Sequence, residues 1–183
     1  MESAASPIDA RTSGFTILEL SAGIVIIAVL AILIIAGMAT LRARAQRVQC
    51  AANLRSLHIA AALYVQENGS WPQIESSNAD TGGEEYAIAW IDALKQFGPT
   101  RQTWICPTIQ GLLENPDVSR PENARIDYIA TSFDDKPGTP FRWPRQPWFA
   151  ETGNVHRNGN LIIFADGSIS DLNTVTGGAD AQR

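Results

Sequence analysis

Apolar and polar positions are unevenly divided along this chain. From Leu20 to Leu41 the sequence reads LSAGIVIIAVLAILIIAGMATL, 22 residues without a charged side chain. At 1.5 Å per residue, a helix of that length spans about 33 Å, enough to cross the hydrocarbon core of a bilayer. A helix buried in a soluble core seldom stays apolar on every face for so long. Past Leu41 the pattern changes without stopping. Cys50, Leu54, Leu57, Ala61 and Tyr64 recur at spacings of four, three, four and three, with Val65 beside them, while Arg47, Asn53, Arg55 and Gln66 lie off that stripe. One apolar stripe at helical spacing predicts a helix that packs one face on a partner. No proline occurs between Pro7 and Pro72, and Asn68-Gly69 followed by Trp71-Pro72 supplies stop signals. The prediction is a single helix from about 16 to 67, on the order of 78 Å long, with Gly37 as a place where it can bend.

The remainder reads as a small mixed head. Residues 73–83 are polar and glycine-containing, a loop. Residues 84–97 place Ala87, Ile88, Ile91, Leu94 and Phe97 on one face, with acids in the first turn and Gly98-Pro99 closing a short amphipathic helix. Trp104-Ile105-Cys106 reads as a short strand halted by Pro107, and alternation through Ile126, Tyr128, Ala130 and Ser132 predicts another within 125–133. Residues 134–147 hold four prolines and few aliphatics, a surface loop. Residues 161–165 and 168–172 flank Asp166-Gly167, a pair suited to a type I′ hairpin, and Asn158-Gly159 marks an earlier turn after Val155-His156. A three-stranded meander is expected. The fold class that follows is α+β: a long N-terminal helix packed on a small antiparallel sheet.

Composition alone conceals this division. The 183 residues are 45% hydrophobic and 18% charged, with a mean hydropathy of −0.06, which describes an average soluble chain. Fourteen basic and nineteen acidic residues give a formal charge of −5, which argues against a nucleic-acid partner held by phosphate neutralisation. Two cysteines and two histidines are too few for a disulfide-dense scaffold or a Cys/His zinc module.

What precedes the apolar block carries more. Residues 13–19 read Ser13-Gly14-Phe15-Thr16-Ile17-Leu18-Glu19. An ordinary secretory signal fits poorly, because the apolar run exceeds a typical h-region and no A-x-A site closes it. A carboxylate at the edge of a membrane helix is costly unless it is paired or functional. A short polar leader, then Gly, then Phe-Thr-x-x-Glu and an apolar helix resembles the signal of type IV pilins and pseudopilins, residue for residue. In register with it, Asn53-Leu54-Arg55, Tyr64, Asn68-Gly69 and Pro72 resemble the second helical half of pseudopilins. His156, nine residues, then Asp166-Gly167 resembles a C-terminal signature of one large group of pilin-like bacterial proteins.

The resemblance implies a leader (1–14), a transmembrane or filament-core half of the helix (15–41), an amphipathic half (42–68) and a pilin-like head (69–183). It implies that a prepilin peptidase cuts between Gly14 and Phe15 and that the new amine of Phe15 is methylated. The mature chain would then have 169 residues with 13 basic and 17 acidic side chains. Glu19 would pair with the Phe15 amine of a neighbouring subunit; a cation at a helix N-terminus is what a carboxylate in hydrocarbon requires. The implied partners are other pilin-like subunits in a homo- or hetero-oligomeric filament, the peptidase, an inner-membrane assembly platform and membrane lipid. The implied role is that of a structural subunit of a type IV pilus-like or type II secretion pseudopilus filament, single-pass in the inner membrane with its head exported, without cofactor or catalysis.

One feature pulls elsewhere. The leader has Arg11 as its one basic side chain, whereas Arg42, Arg44 and Arg47 follow the apolar block, a distribution that by itself would keep the head inside. A membrane-anchored periplasmic binding module or enzyme would use the helix as an anchor only, and a soluble head released by a conventional signal peptidase is the third alternative.

Other candidates have plainer readings beside them. His156 and Asp166 suggest a catalytic pair, but Asp166 suits the turn and no third member completes a triad. Asp134, Asp135, Asp166 and Asp171 are weak calcium candidates without EF-hand spacing, and a solvated acidic surface is the simpler reading. His58 lies beside the stripe as a structural residue. Cys50 and Cys106 would share an oxidising compartment if the head is exported, which leaves a disulfide open to them; a free Cys50 thiol would also suit the stripe. Trp143 and Trp148 would serve either a carbohydrate or partner surface or the packing of the head.

Overall fold

The computed structural model of the chain describes residues 16–74, 83–113, 124–156 and 159–180. Helix α1 runs unbroken from Ile17 to Asn68. Thr16 caps its start, its Oγ1 accepting the Glu19 N–H at 3.2 Å, which satisfies one of the amides that a helix leaves unpaired. Its end is set by Gly69, which adopts φ 73° and donates its N–H to Val65 O at 2.9 Å, a left-handed stop that glycine takes without a Cβ penalty.

Contacts divide the chain after Arg42 into two units. In the first, the described side chains of α1 from Ile17 to Leu41 are exposed on every face, Ile17 at 89% and Ile35 at 70%. This helix is long and apolar enough to cross a membrane.

In the second unit the stripe is buried as expected: Cys50, Leu54, Leu57 and Ala61 are fully covered, Val65 nearly so, and Tyr64 packs edge-on against Phe97. Asn53 departs from the expectation. It lies inside rather than off the stripe, because its Nδ2 donates to Ile105 O at 2.9 Å and this satisfies a buried amide.

Helix α2 (Gly83–Leu94) continues into a 3₁₀ turn over Lys95–Phe97 and stops at Gly98, φ 110°. It buries Ala87, Trp90, Ile91 and Leu94; the expected strand at 104–106 does not form. A 3₁₀ turn covers Arg101–Trp104, Ile105 and Cys106 are extended, and Pro107 opens helix α3 (Pro107–Leu112) instead of ending a strand. Proline at the first helical position has no amide to lose and its φ is already helical.

The sheet is a four-stranded antiparallel meander in the order β1 (Tyr128–Ala130), β2 (Pro147–Glu151), β3 (Leu161–Phe164) and β4 (Ile169–Asp171), followed by α4 (Leu172–Asp180). The meander has four strands where three were expected: β1 joins it, and the strand expected at Val155-His156 does not form, its place being taken by β2, earlier in the chain. β2 begins inside the proline-rich stretch, and its register shifts between Pro147 and Phe149, so that Trp148 and Phe149 are both buried and the two-residue alternation is lost. The hairpin β3–β4 is where the sequence placed it, with a different turn. Gly167 N–H donates to Phe164 O at 2.9 Å and Phe164 N–H to Ser168 O at 3.0 Å, and Gly167 has φ 76°. The turn is therefore centred on Ala165-Asp166, with Gly167 as the left-handed third loop residue rather than half of a type I′ pair.

The head closes around aromatic rings. Trp71 meets Trp90, Phe133, Trp148 and Phe149 with centroids 4.9–6.0 Å apart, largely tilted or edge-to-face. Trp71, Trp104, Trp148, Phe149 and Tyr128 are fully buried, and the stripe of α1 belongs to the same core cluster.

Candidate functional site

Two groups of residues carry chemistry, one at the start of α1 and one in the head. Gly14 and Phe15 lie outside the described residues, as do most of the 73–83 loop and Asn158. Glu19 stands in the first turn of α1, exposed, with its backbone held by Thr16. From Glu19 to Leu41 no other charged residue occurs.

In the head, residues far apart in sequence converge. Cys50 comes from the third quarter of α1, Cys106 from the extended pair before α3, Glu151 from the end of β2 and His156 from the turn that follows. All four are buried, and one ligand-type atom from each lies within 4.8 Å of the others. The sulfurs of Cys50 and Cys106 are in contact at 2.6 Å. Glu151 Oε1 faces His156 Nε2 at 3.3 Å, and its Oε2 accepts the Leu161 N–H at 3.3 Å. Tyr128 stands opposite Glu151 across β1–β2. Burial lifts the Glu151 carboxyl to about 7, with the neighbouring Cys106 thiol adding to the rise. The Cys50 contact and burial push the Cys106 thiol well above its ordinary range; donation from Cys106 draws Cys50 the other way.

The sequence missed Glu151. It terminates the run Trp148-Phe149-Ala150, and an acid at the end of an apolar strand was the available signal. His156 is accordingly partnered by Glu151 and not by Asp166, whose carboxylate accepts the Ser168 N–H at 2.9 Å and the Ser168 hydroxyl at 2.5 Å, which keeps its pKa below the usual carboxylate value.

The four aspartates are not gathered. Asp171 pairs with Arg47 at 2.8 Å, Asp134 accepts the Lys136 N–H, Asp166 shapes its turn and Asp135 is exposed. His58 stacks on Trp148 with centroids 4.5 Å apart and its Nε2 lies 3.1 Å from Ala165 O, a structural position. Trp148 serves the core, its Nε1 donating to Pro140 O at 2.7 Å; Trp143 is 62% exposed with Arg142 over its ring.

An open hollow of about 300 Å³ lies between α1 and the 100–107 segment, lined by Gln49, Asn53, Thr100, Gln102, Thr103, Ile105 and Pro107. None of these side chains is an acid, a base or a strong nucleophile, whereas the four clustered groups that are lie buried outside it. No family model, curated protein or solved structure matches this chain.

Proposed function

We propose that the chain is a structural subunit of a type IV pilus-like or type II secretion pseudopilus filament. It is inserted as a precursor, cut between Gly14 and Phe15, methylated on Phe15 and assembled through the apolar half of α1. The observation that carries this reading is α1 itself: one continuous helix whose Ile17–Leu41 stretch has apolar side chains exposed on every face and a single acid, Glu19, in its first turn. Apolar surface on that scale requires lipid or the same helix of other subunits. The leader pattern around Gly14-Phe15 supplies the choice of filament over bare anchor. In this reading Glu19 accepts the Phe15 amine of the adjacent subunit and sets the axial register, since an unpaired carboxylate in that environment is expensive.

The test is the N-terminus of the native protein. Mass spectrometry should find a chain beginning at N-methylated Phe15; an intact Met1 or a cut well away from Gly14 would refute the proposal. The anchor-only alternative separates at Glu19: Glu19→Ala should abolish or strongly impair assembly in the filament reading and should leave a simple anchor working.

A further inference from the structure

We infer that Cys50 and Cys106 are joined by a disulfide that forms when the head reaches an oxidising compartment and clasps α1 to the head. The inference rests on the export in the proposed function for its timing and on the head alone for its chemistry.

The geometry around the sulfurs is the argument. Cys50 and Cys106 are both fully buried and separated by 56 positions in the chain, yet their sulfurs stand 2.6 Å apart. Carbon atoms in van der Waals contact rest at about 3.5–4.0 Å, and sulfur is larger than carbon. The segments bearing them are tied on both sides of the contact. Asn53, one turn beyond Cys50 on α1, donates to Ile105 O at 2.9 Å, and the Cys106 N–H donates to Asp127 Oδ2 at 2.8 Å. Asp127 is itself held by Arg125 at 3.1 Å, and its N–H by Trp104 O at 2.8 Å. A covalent bond at about 2.05 Å asks for a small further approach.

A metal on the same four residues asks for the opposite. Two thiolates on one tetrahedral zinc, at Zn–S of about 2.3 Å, stand roughly 3.7 Å apart, so the sulfurs would have to separate within a packed core. With the sulfurs joined, Glu151 and His156 are left as one acid facing one base at 3.3 Å.

Closure forms one S–S bond from two S–H groups and reduces one external disulfide to two thiols. In the cell that oxidant belongs to the class of thiol–disulfide oxidoreductases; in vitro it is oxidised glutathione. Because the pair bridges a long loop, closure should strengthen the head's attachment to the helix and make its completion depend on compartment.

The experiment uses the full-length chain isolated in detergent from membranes quenched with N-ethylmaleimide. Intact mass after denaturation should be 2 Da below the dithiol form, with no alkylation. Reduction should lower the melting temperature of the head by roughly 10 °C, and Cys50→Ser/Cys106→Ser should be insensitive to reductant. The test does not depend on that variant folding, because the wild-type chain is compared with itself. If the quenched native chain is found alkylated, but a separate preparation never exposed to N-ethylmaleimide closes intramolecularly when refolded with oxidised glutathione, the clasp stands and the export reading fails. A pair that stays reduced under glutathione, or a chain carrying one equivalent of zinc by elemental analysis with both thiols free, overturns the inference.

Discussion

The two halves of α1 share one backbone and treat their side chains in opposite ways. Ile17–Leu41 leaves apolar groups exposed all round, while from Cys50 to Val65 the helix buries a stripe against the aromatic rings of the head. Helical propensity does not separate them, since both are unbroken helix. Partnership does. The second half finds its partner within the chain, where Trp71, Trp148 and Phe149 close over the stripe; among the described residues nothing covers the first half, whose apolar side chains call for lipid or another helix. The difference also assigns their substitutions different readouts, stability for one half and assembly for the other.

The sharpest contrast is Trp71→Ala against Ile27→Ala. Trp71 touches four aromatic rings, so its removal should destabilise the head by about 3–5 kcal/mol in chemical denaturation. Ile27→Ala should leave that transition unmoved, because Ile27 is 68% exposed and belongs to the other unit. Equal losses from the two would break the comparison.

A second prediction concerns the buried acid. Glu151 has a folded pKa of about 7, above its ordinary 4.5, so the folded state favours the protonated form. The stability this contributes is complete below about pH 4.5 and is lost as pH rises through 7. The reduced head should lose on the order of 2 kcal/mol between pH 5 and 8, and Glu151→Gln should flatten the profile. Oxidation should shrink the effect too, since the Cys106 thiol is part of its cause. Thermal melts across pH check all three.

The smallest effect is expected at the surface. Arg47 and Asp171 form a partly exposed ion pair, and Arg47→Ala should cost about 0.2–1 kcal/mol, less at high salt. A larger loss would mean that this pair, rather than the buried stripe, fixes the helix on the sheet.

The pattern of the chain made α1 legible because a long stretch free of proline and a change from all-round to one-sided apolarity both survive in one dimension. The β3–β4 hairpin was legible for the same reason, two short apolar runs around Asp166-Gly167. β2 was hidden by Pro147, which argues for a loop unless it sits at an irregular strand start, as it does here. Pro107 misled in the same manner, since proline both stops strands and opens helices. The Cys50–Cys106–Glu151–His156 cluster could not be read as a unit, because its members approach through tertiary packing; the cysteines and His156 stood out singly, and Glu151 did not. The residue type of Asn53 predicts the polar side, while its amide is paired in the core.

What covers the first half of α1 separates a filament subunit from a bare anchor. A photo-reactive phenylalanine analogue in place of Ile27, in cells that assemble the native structure, tests this directly. A filament subunit, as proposed, should give a covalent adduct with a second copy of this chain or with a different protein subunit, lost when Glu19 is changed to Ala. Adducts with lipid alone, unaffected by Glu19→Ala, would contradict that proposal.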